Sequence, residues 1–252
     1  MIDRSSSEGV TTLTLARPPL NILNEELVSR LDATLEALLP DPETRMVVLT
    51  SGIPGTFSAG ADVREHLPPD HRSMIPKFVA LCDRLVRSPK PTMAVVDGRC
   101  LGGGMELALS CDFVVCTDRS TFGQPEISVG VFPPIGAALY PRLLGLRSTY
   151  RVLLDPRPIE AAEALRIGAV NRVVPPSELA SIVKSLTTAI AGSSGAVIAL
   201  AKRAIREGLP LSWDLARDRA TQVYLDELMG TEDAIEGLQA FLAKRQPHWK
   251  DR

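Results

Sequence analysis

The chain has 252 residues, enough for one sizeable core with an appended segment, or at most two domains. Its 45% apolar and 23% charged residues are the balance of a globular protein, which sets aside a low-complexity or disordered chain. A net charge of -2, a pI near 6.0 and only 4% aromatics offer neither the basic footprint nor the stacking surface of a nucleic-acid binder.

The opening stretch MIDRSSSEGVTTLTL has the features of neither a secretory signal nor an Arg-rich transit segment. No apolar run approaches the roughly 20 residues of a spanning helix, so the expectation is a cytoplasmic protein that engages no membrane. The four cysteines (Cys82, Cys100, Cys111, Cys116) lack C-x-x-C spacing and read as small buried hydrophobes in a reducing compartment. Three histidines, His66, His71 and His248, are too dispersed to suggest a metal site, and none is assigned. His66 and His71 fall in the stretch Glu65–Lys77, expected to shape a substrate pocket, where one of them could touch substrate; the plain reading is a solvent-facing loop histidine.

In chain order, Thr11–Ala16 alternates like a strand and Arg17-Pro18-Pro19 ends it, because proline cannot continue a hydrogen-bonded ladder. Glu25–Leu39 places Leu27, Leu31, Leu35 and Leu38 at helical spacing. Met46–Thr50 is a short apolar strand before the break Gly52–Gly55. Met74–Arg87 is a helix that Pro89 and Pro91 stop, and Thr92–Val96 is the next strand. A glycine run, a further helix and the strand Phe113–Cys116 follow. Ser177–Ala191, Ala196–Glu207, Leu211–Met229 and Glu232–Arg245 then read as helices. The pattern is a mixed α/β core with a helical carboxyl-terminal part, without the strict βαβ rhythm of a dinucleotide-binding sheet.

Three segments carry chemistry. In Phe57-Ser58-Ala59-Gly60-Ala61-Asp62, small residues precede a helix start at Asp62, with Glu65 at capping-box spacing. The N–H of Ala61 is free to face a ligand oxygen there; the plain alternative is an ordinary capped turn. In Gly102-Gly103-Gly104-Met105-Glu106, three glycines lead into an apolar helix, whose amino terminus suits a developing negative charge. The closing G-K-[ST] of a phosphate loop is missing, and contiguous glycines do not fit G-x-G-x-x-G. Glu106 lies one turn beyond Gly103 among Met105, Leu107, Ala108 and Leu109, so a dry setting and a raised pKa are expected. A carboxylate that pairs with an arginine or caps its own helix is the plain alternative. Glu126, in Gly123-Gln124-Pro125-Glu126, is a second isolated acid that can fold back to face Glu106; the plain alternative is a solvated turn.

Together, Arg17–Asn21, Phe57–Asp62, Gly102–Asp112, Thr121–Gly130, Ala161–Val174 and Glu236–Arg245 resemble the enoyl-CoA hydratase (crotonase) superfamily over nearly the whole chain. The resemblance implies an α/β fold: a ββα spiral core over 1–192 holding the active site, and a C-terminal helical trimerisation region over 193–252. It implies a homotrimer or a dimer of trimers, a hexamer. Ala61 and Gly103 would supply the oxyanion-hole N–H groups, with Glu106 and Glu126 as the two acids of an acyl-CoA hydratase. Ala59, Asp62 and Val63 match an adenine site, and Pro19 and Leu20 the segment running along CoA. Phe241 and Lys244 match tail residues that reach CoA, commonly across a subunit boundary. No cofactor is implied beyond the CoA of the substrate thioester.

The sequence departs from the family pattern in two places. Where straight-chain hydratases carry a glycine whose N–H helps hold water, this chain reads Val131-Phe132-Pro133-Pro134. Proline has no N–H, so water would be held differently against Pro134, or the acyl group differs. Leu153-Leu154-Asp155-Pro156-Arg157 replaces a common L-T-G turn. The Phe-Pro-Pro feature and Arg-Pro-Pro-Leu-Asn start resemble hydratases of cyclic dienoyl-CoA esters such as cyclohexa-1,5-dienecarbonyl-CoA. The rival readings are a Δ3,Δ2-enoyl-CoA isomerase and a catalytically silent CoA- or RNA-binding relative.

Overall fold

A computed structural model describes residues 1–252. Strands β1 (Ile2–Ser7) and β2 (Val10–Leu15) form an antiparallel hairpin. The hairpin leads through the Arg17–Leu23 turn to helix α1 (Glu25–Leu38), capped by the Asn24 side chain, which accepts from the Leu27 N–H at 3.1 Å. Three ββα units follow. The first is β3 (Met46–Ser51), β4 (Thr56–Ser58) and α2 (His71–Arg87); the second is β5 (Thr92–Val96), β6 (Arg99–Leu101) and α3 (Gly103–Leu109). The third is β7 (Phe113–Thr117), β8 (Thr121–Gly123) and α4 (Pro134–Leu154), the last broken at Gly145, where φ is 72°.

Within each unit the first strand joins a six-stranded sheet of order β1-β2-β3-β5-β7-β10, and the second joins a smaller sheet, β4-β6-β8-β9. Strands β9 (Ile159–Glu160) and β10 (Arg172–Val174) flank α5 (Ala161–Arg166) and close the two sheets. Apart from the hairpin and the β8–β9 pair, pairing is parallel. This is the spiral expected from the resemblance, each unit giving its first strand to the large sheet and its second to the small one.

The larger core packs α1, α2 and α3 over one face of the large sheet, with Leu27, Leu31, Leu35, Phe78, Leu81, Met105 and Leu107 fully or almost fully buried. A smaller cluster on the other face, including Met46, Val48, Met93 and Val115, is covered by α6 (Leu179–Ala191). Beyond it come α7 (Gly195–Gly208), α8 (Trp213–Gln222) and α9 (Glu232–Leu242). The helix expected over Leu211–Met229 is cut at Gln222, after which one π turn and one 3-10 turn carry the chain to α9. No single helix is long and apolar enough to cross a membrane.

Candidate active site

The small sheet and the helix starts meet at Ala61 and Gly103. Strands β4 and β6 lie side by side, with Ser58 opposite Cys100, so the turns that leave them run together. A methyl group on Gly103 would stand 3.4 Å from the Ala61 nitrogen, and one on Gly60 would stand 3.6 Å from the Gly103 nitrogen. Neither N–H finds an acceptor within the chain. The bridge at Ala61 runs through its neighbours, Leu23 N–H to Gly60 O and Asp62 N–H to Leu23 O. Gly103 opens α3, where the first amides have no intrahelical partner. Two donors therefore stand free within a few ångströms of each other.

The first turn is held from below. Asn21, fully buried at φ 49°, accepts from the Arg17 N–H at 2.7 Å. Its amide donates to Leu15 O, Ser51 Oγ and Phe57 O. The Ser58 hydroxyl donates to Asn21 O at 2.7 Å and accepts from the Gly60 N–H at 3.1 Å. Gly104 packs so tightly on Ser58 that a methyl there would lie 2.7 Å from its Cβ, which explains a third glycine in the run. The cap at Asp62 forms, accepting from the Arg64 N–H at 3.0 Å, but it starts a single 3-10 turn, Val63–His66. The expected capping box does not close, because the Glu65 carboxylate turns away to accept from the Glu25 N–H.

Glu106 is 3% exposed, one turn into α3. Burial raises its pKa to about 7; the Gly136 N–H opposes the rise, the charge of Glu126 adds to it, and the Ile135 N–H also opposes it. The Gly136 N–H donates to Glu106 Oε1 at 2.9 Å. Pro134, which has no N–H to offer water, heads α4, and the N–H of Gly136 two residues on goes to Glu106.

Glu126 is half-buried in the 3-10 turn Pro125–Val129, and burial raises its pKa to about 7 as well. A methyl on Gly102 would lie 2.6 Å from Glu126 Oε1, so the glycine, at φ 54°, leaves room for this carboxylate beside the start of α3. Its pKa and that of Glu106 are raised with no cation contributing to either. The geometry thus sets Ala61 beside Gly103, and Glu126 beside Gly102 at the start of the helix that carries Glu106.

The remaining predicted residues are distributed unevenly. Leu20 O accepts from the Ala59 N–H at 3.0 Å, so Leu20 and Ala59 border the Ala61 turn, with Pro19 exposed beside them. Asp62 is buried, its carboxyl held below the usual range by the Arg64 guanidinium at 2.8 Å; Val63 is exposed. Phe241 is 82% exposed at the end of α9, which packs on the turn Leu228–Gly230 and on α7, and Lys244 follows at φ 52°; neither is brought to the site within one chain. His66 Nδ1 lies 3.0 Å from Asp62 O and is partly buried, as is His71, so neither is the free loop side chain expected.

Sequence reasoning missed three residues here. Gly136, Gln124 and Tyr140 are buried and touch the carboxylates or one another. Gln124, two positions before Glu126, is the one that local sequence could have flagged; Gly136 and Tyr140 lie in a stretch assigned to no element.

The profile of the enoyl-CoA hydratase/isomerase family matches residues 5–252. The chain belongs to that family. It is 35% identical over 240 residues to the cyclohexa-1,5-dienecarbonyl-CoA hydratase of Thauera aromatica, covering 95% of this chain and 92% of that one. It is 37% identical to a probable enoyl-CoA hydratase of Rhizobium meliloti, covering 96% and 95%. The crystal structure of an enoyl-CoA hydratase from Bacillus anthracis superposes with a TM-score of 0.94 at 30% identity, covering 100% of this chain and 99% of that one. The crotonase fold expected from the sequence is the observed one.

Proposed function

We propose that this member of the family adds water to, and removes it from, an α,β-unsaturated acyl-CoA thioester. One observation carries the reading: a buried and a half-buried carboxylate, each raised by burial to about 7, lie at the start of α3 and the turn beside it, where two backbone donors stand unpartnered. The thioester oxygen sits between the N–H groups of Ala61 and Gly103. As water oxygen bonds to the β-carbon, the π electrons move onto that oxygen as an enolate, which preorganised donors stabilise by about 3 kcal/mol each in the transition state. Ionised Glu106 takes one proton from the water, and protonated Glu126 gives one to the α-carbon. The product is a 3-hydroxyacyl thioester, and the acids exchange protonation states. The separation of pKa values expected of such a pair is not seen, since burial raises both to about 7, so the two titrate as a pair and the base and donor roles rest on the family analogy.

The names of the relatives support a hydro-lyase, and they span cyclic dienoyl and short-chain substrates. We take a cyclic dienoyl thioester as the preferred substrate on the Phe132-Pro133-Pro134 stretch, which differs from the straight-chain pattern. CoA would run along Pro19 and Leu20, with its adenine near Ala59, Asp62 and Val63 and its acyl end toward Pro134. Phe241 and Lys244, exposed here, would reach the CoA of a neighbouring subunit, and the helical region 193–252 would build a trimer. The mechanism invokes no metal and no redox cofactor.

The test is a panel of acyl-CoA esters followed at the absorbance of the conjugated thioester. Hydration of an ester with one conjugated double bond bleaches that band, whereas isomerisation of a Δ3 ester creates it; a dienoyl ester keeps a second double bond, so its hydration is read as a product heavier by one water. Cyclohexa-1,5-dienecarbonyl-CoA should be hydrated; turnover of crotonyl-CoA alone would remove the cyclic assignment. Glu106→Gln and Glu126→Gln should each lower kcat by at least about 100-fold. Full activity in both would overturn the mechanism.

A further inference from the structure

Tyr140 carries a hydroxyl that the account above does not use. It is fully buried on α4, one turn after Gly136, and a methyl on that glycine would touch its ring at 3.2 Å. Its oxygen lies 2.6 Å from the side-chain amide of Gln124, also fully buried. With Glu126 ionised, one orientation of that amide satisfies every partner. Its oxygen accepts from the Tyr140 hydroxyl, and its nitrogen donates to Glu126 Oε2 at 2.9 Å and Oε1 at 3.1 Å. The opposite orientation would face the amide oxygen against the carboxylate.

We propose that Tyr140 is a positioning residue: its hydroxyl locks the Gln124 amide so that the amide nitrogen is aimed at the Glu126 carboxylate. The inference deepens the hydration reading and rests on it. In hydration Glu126 gives its proton to the α-carbon, and a negative charge appears where no cation stands. An amide already fixed in place meets that charge without reorganisation. An unlocked amide would turn its oxygen toward protonated Glu126 and would have to rotate as the proton leaves. The titratable groups facing Glu126 are Glu106 on α3 and Tyr140 on α4. Burial holds the Tyr140 hydroxyl well above the usual tyrosine range, so it remains a donor throughout.

The test compares Tyr140→Phe, Gln124→Met and their double variant, reading two quantities. One is the titration of Glu126, followed by NMR in protein carrying carbon-13 at its glutamate carboxyls and assigned with Glu126→Gln. The other is kcat and KM on whichever thioester the unaltered protein hydrates. Tyr140→Phe should move the Glu126 midpoint up by about one pH unit, the scale of one lost hydrogen bond to a charged group. It should lower kcat about tenfold with KM within about twofold, as loss of an interaction made only in the transition state requires. Gln124→Met should do the same, and the double variant no more than either, since both break one chain. An unmoved midpoint in Tyr140→Phe, or losses that multiply in the double variant, would overturn the proposal. If no thioester is turned over, the hydratase reading fails and the titration still decides the role of Tyr140. Should Tyr140→Phe not fold, fluorotyrosine at the three tyrosines strengthens the same donor and should lower the midpoint; no change would count against the lock.

Discussion

Glu106 keeps its carboxyl in a dry place at the expense of stability above neutral pH. Its carboxyl moves from an ordinary value of 4.5 to about 7 on folding, so the folded chain holds this proton more tightly than the unfolded one. The stabilisation is therefore complete below about pH 4.5 and lost as pH rises through about 7. A glutamine keeps the oxygen that accepts from Gly136 and never ionises. Glu106→Gln should raise the melting temperature at pH 8 by at least about 2 °C, with the gain vanishing at pH 5. Equal shifts at both pH values in thermal melts would mean the carboxylate is not desolvated. The dryness of Glu106 was legible in its apolar neighbours Met105, Leu107 and Ala108. What opposes that dryness, the Gly136 N–H 30 residues later, was not legible, because a single amide leaves no mark in residue pattern. Glu126 was legible as an isolated acid, but its partner Gln124 depends on Tyr140, which only the fold brings to it.

Among the elements, the turn Arg17–Leu23 does the most for the site. Asn21 fastens the ends of β2, β3 and β4 to one another, and through Ser58 it fixes the turn that presents Ala61. Asn21→Ala would take the donor from acceptors on three strands and the acceptor from the Arg17 N–H, at about 1–3 kcal/mol for each group left buried and unpaired before relaxation. Urea unfolding should report a loss of at least about 2 kcal/mol, and kcat should fall as the Ala61 amide loosens; unchanged stability would contradict this role. The helices α1 and α2 were read to within a few residues because their leucines and other apolar residues recur at helical spacing over a long stretch. Helix α4 was not read as an element. Pro134, Gly136, Pro141 and Gly145 punctuate its sequence as a loop would, and tertiary packing around Tyr140 overrides that signal. Strand β1 was missed too, since Asp3–Ser7 is exposed and polar, and its place is set by the register with β2.

At the scale of the molecule, the spiral was visible only through the resemblance. Strands of three residues, such as β4, β6 and β8, are too short to show a period, yet they are what bring the two glycine-bearing turns together. The surface carries large apolar side chains out to solvent: Leu146, Tyr150 and Leu154 on α4, Trp213 and Leu215 on α8, Phe241 and Leu242 at the end of α9. Contiguous exposed apolar surface marks a partner; the proposed trimer would cover these side chains. Light scattering should give about three or six times the 27.2 kDa of the chain; a monomeric mass would contradict the trimer.

The account turns on water being added to a double bond beside a thioester whose charge two main-chain amides collect. Mass spectrometry of the product formed in deuterated, oxygen-18-labelled water reads this directly. The account predicts one oxygen-18 on the β-carbon and one deuterium on the α-carbon, both lost from the reaction when Glu106 or Glu126 is glutamine. Deuterium incorporated without oxygen-18 would contradict it and make the protein an isomerase.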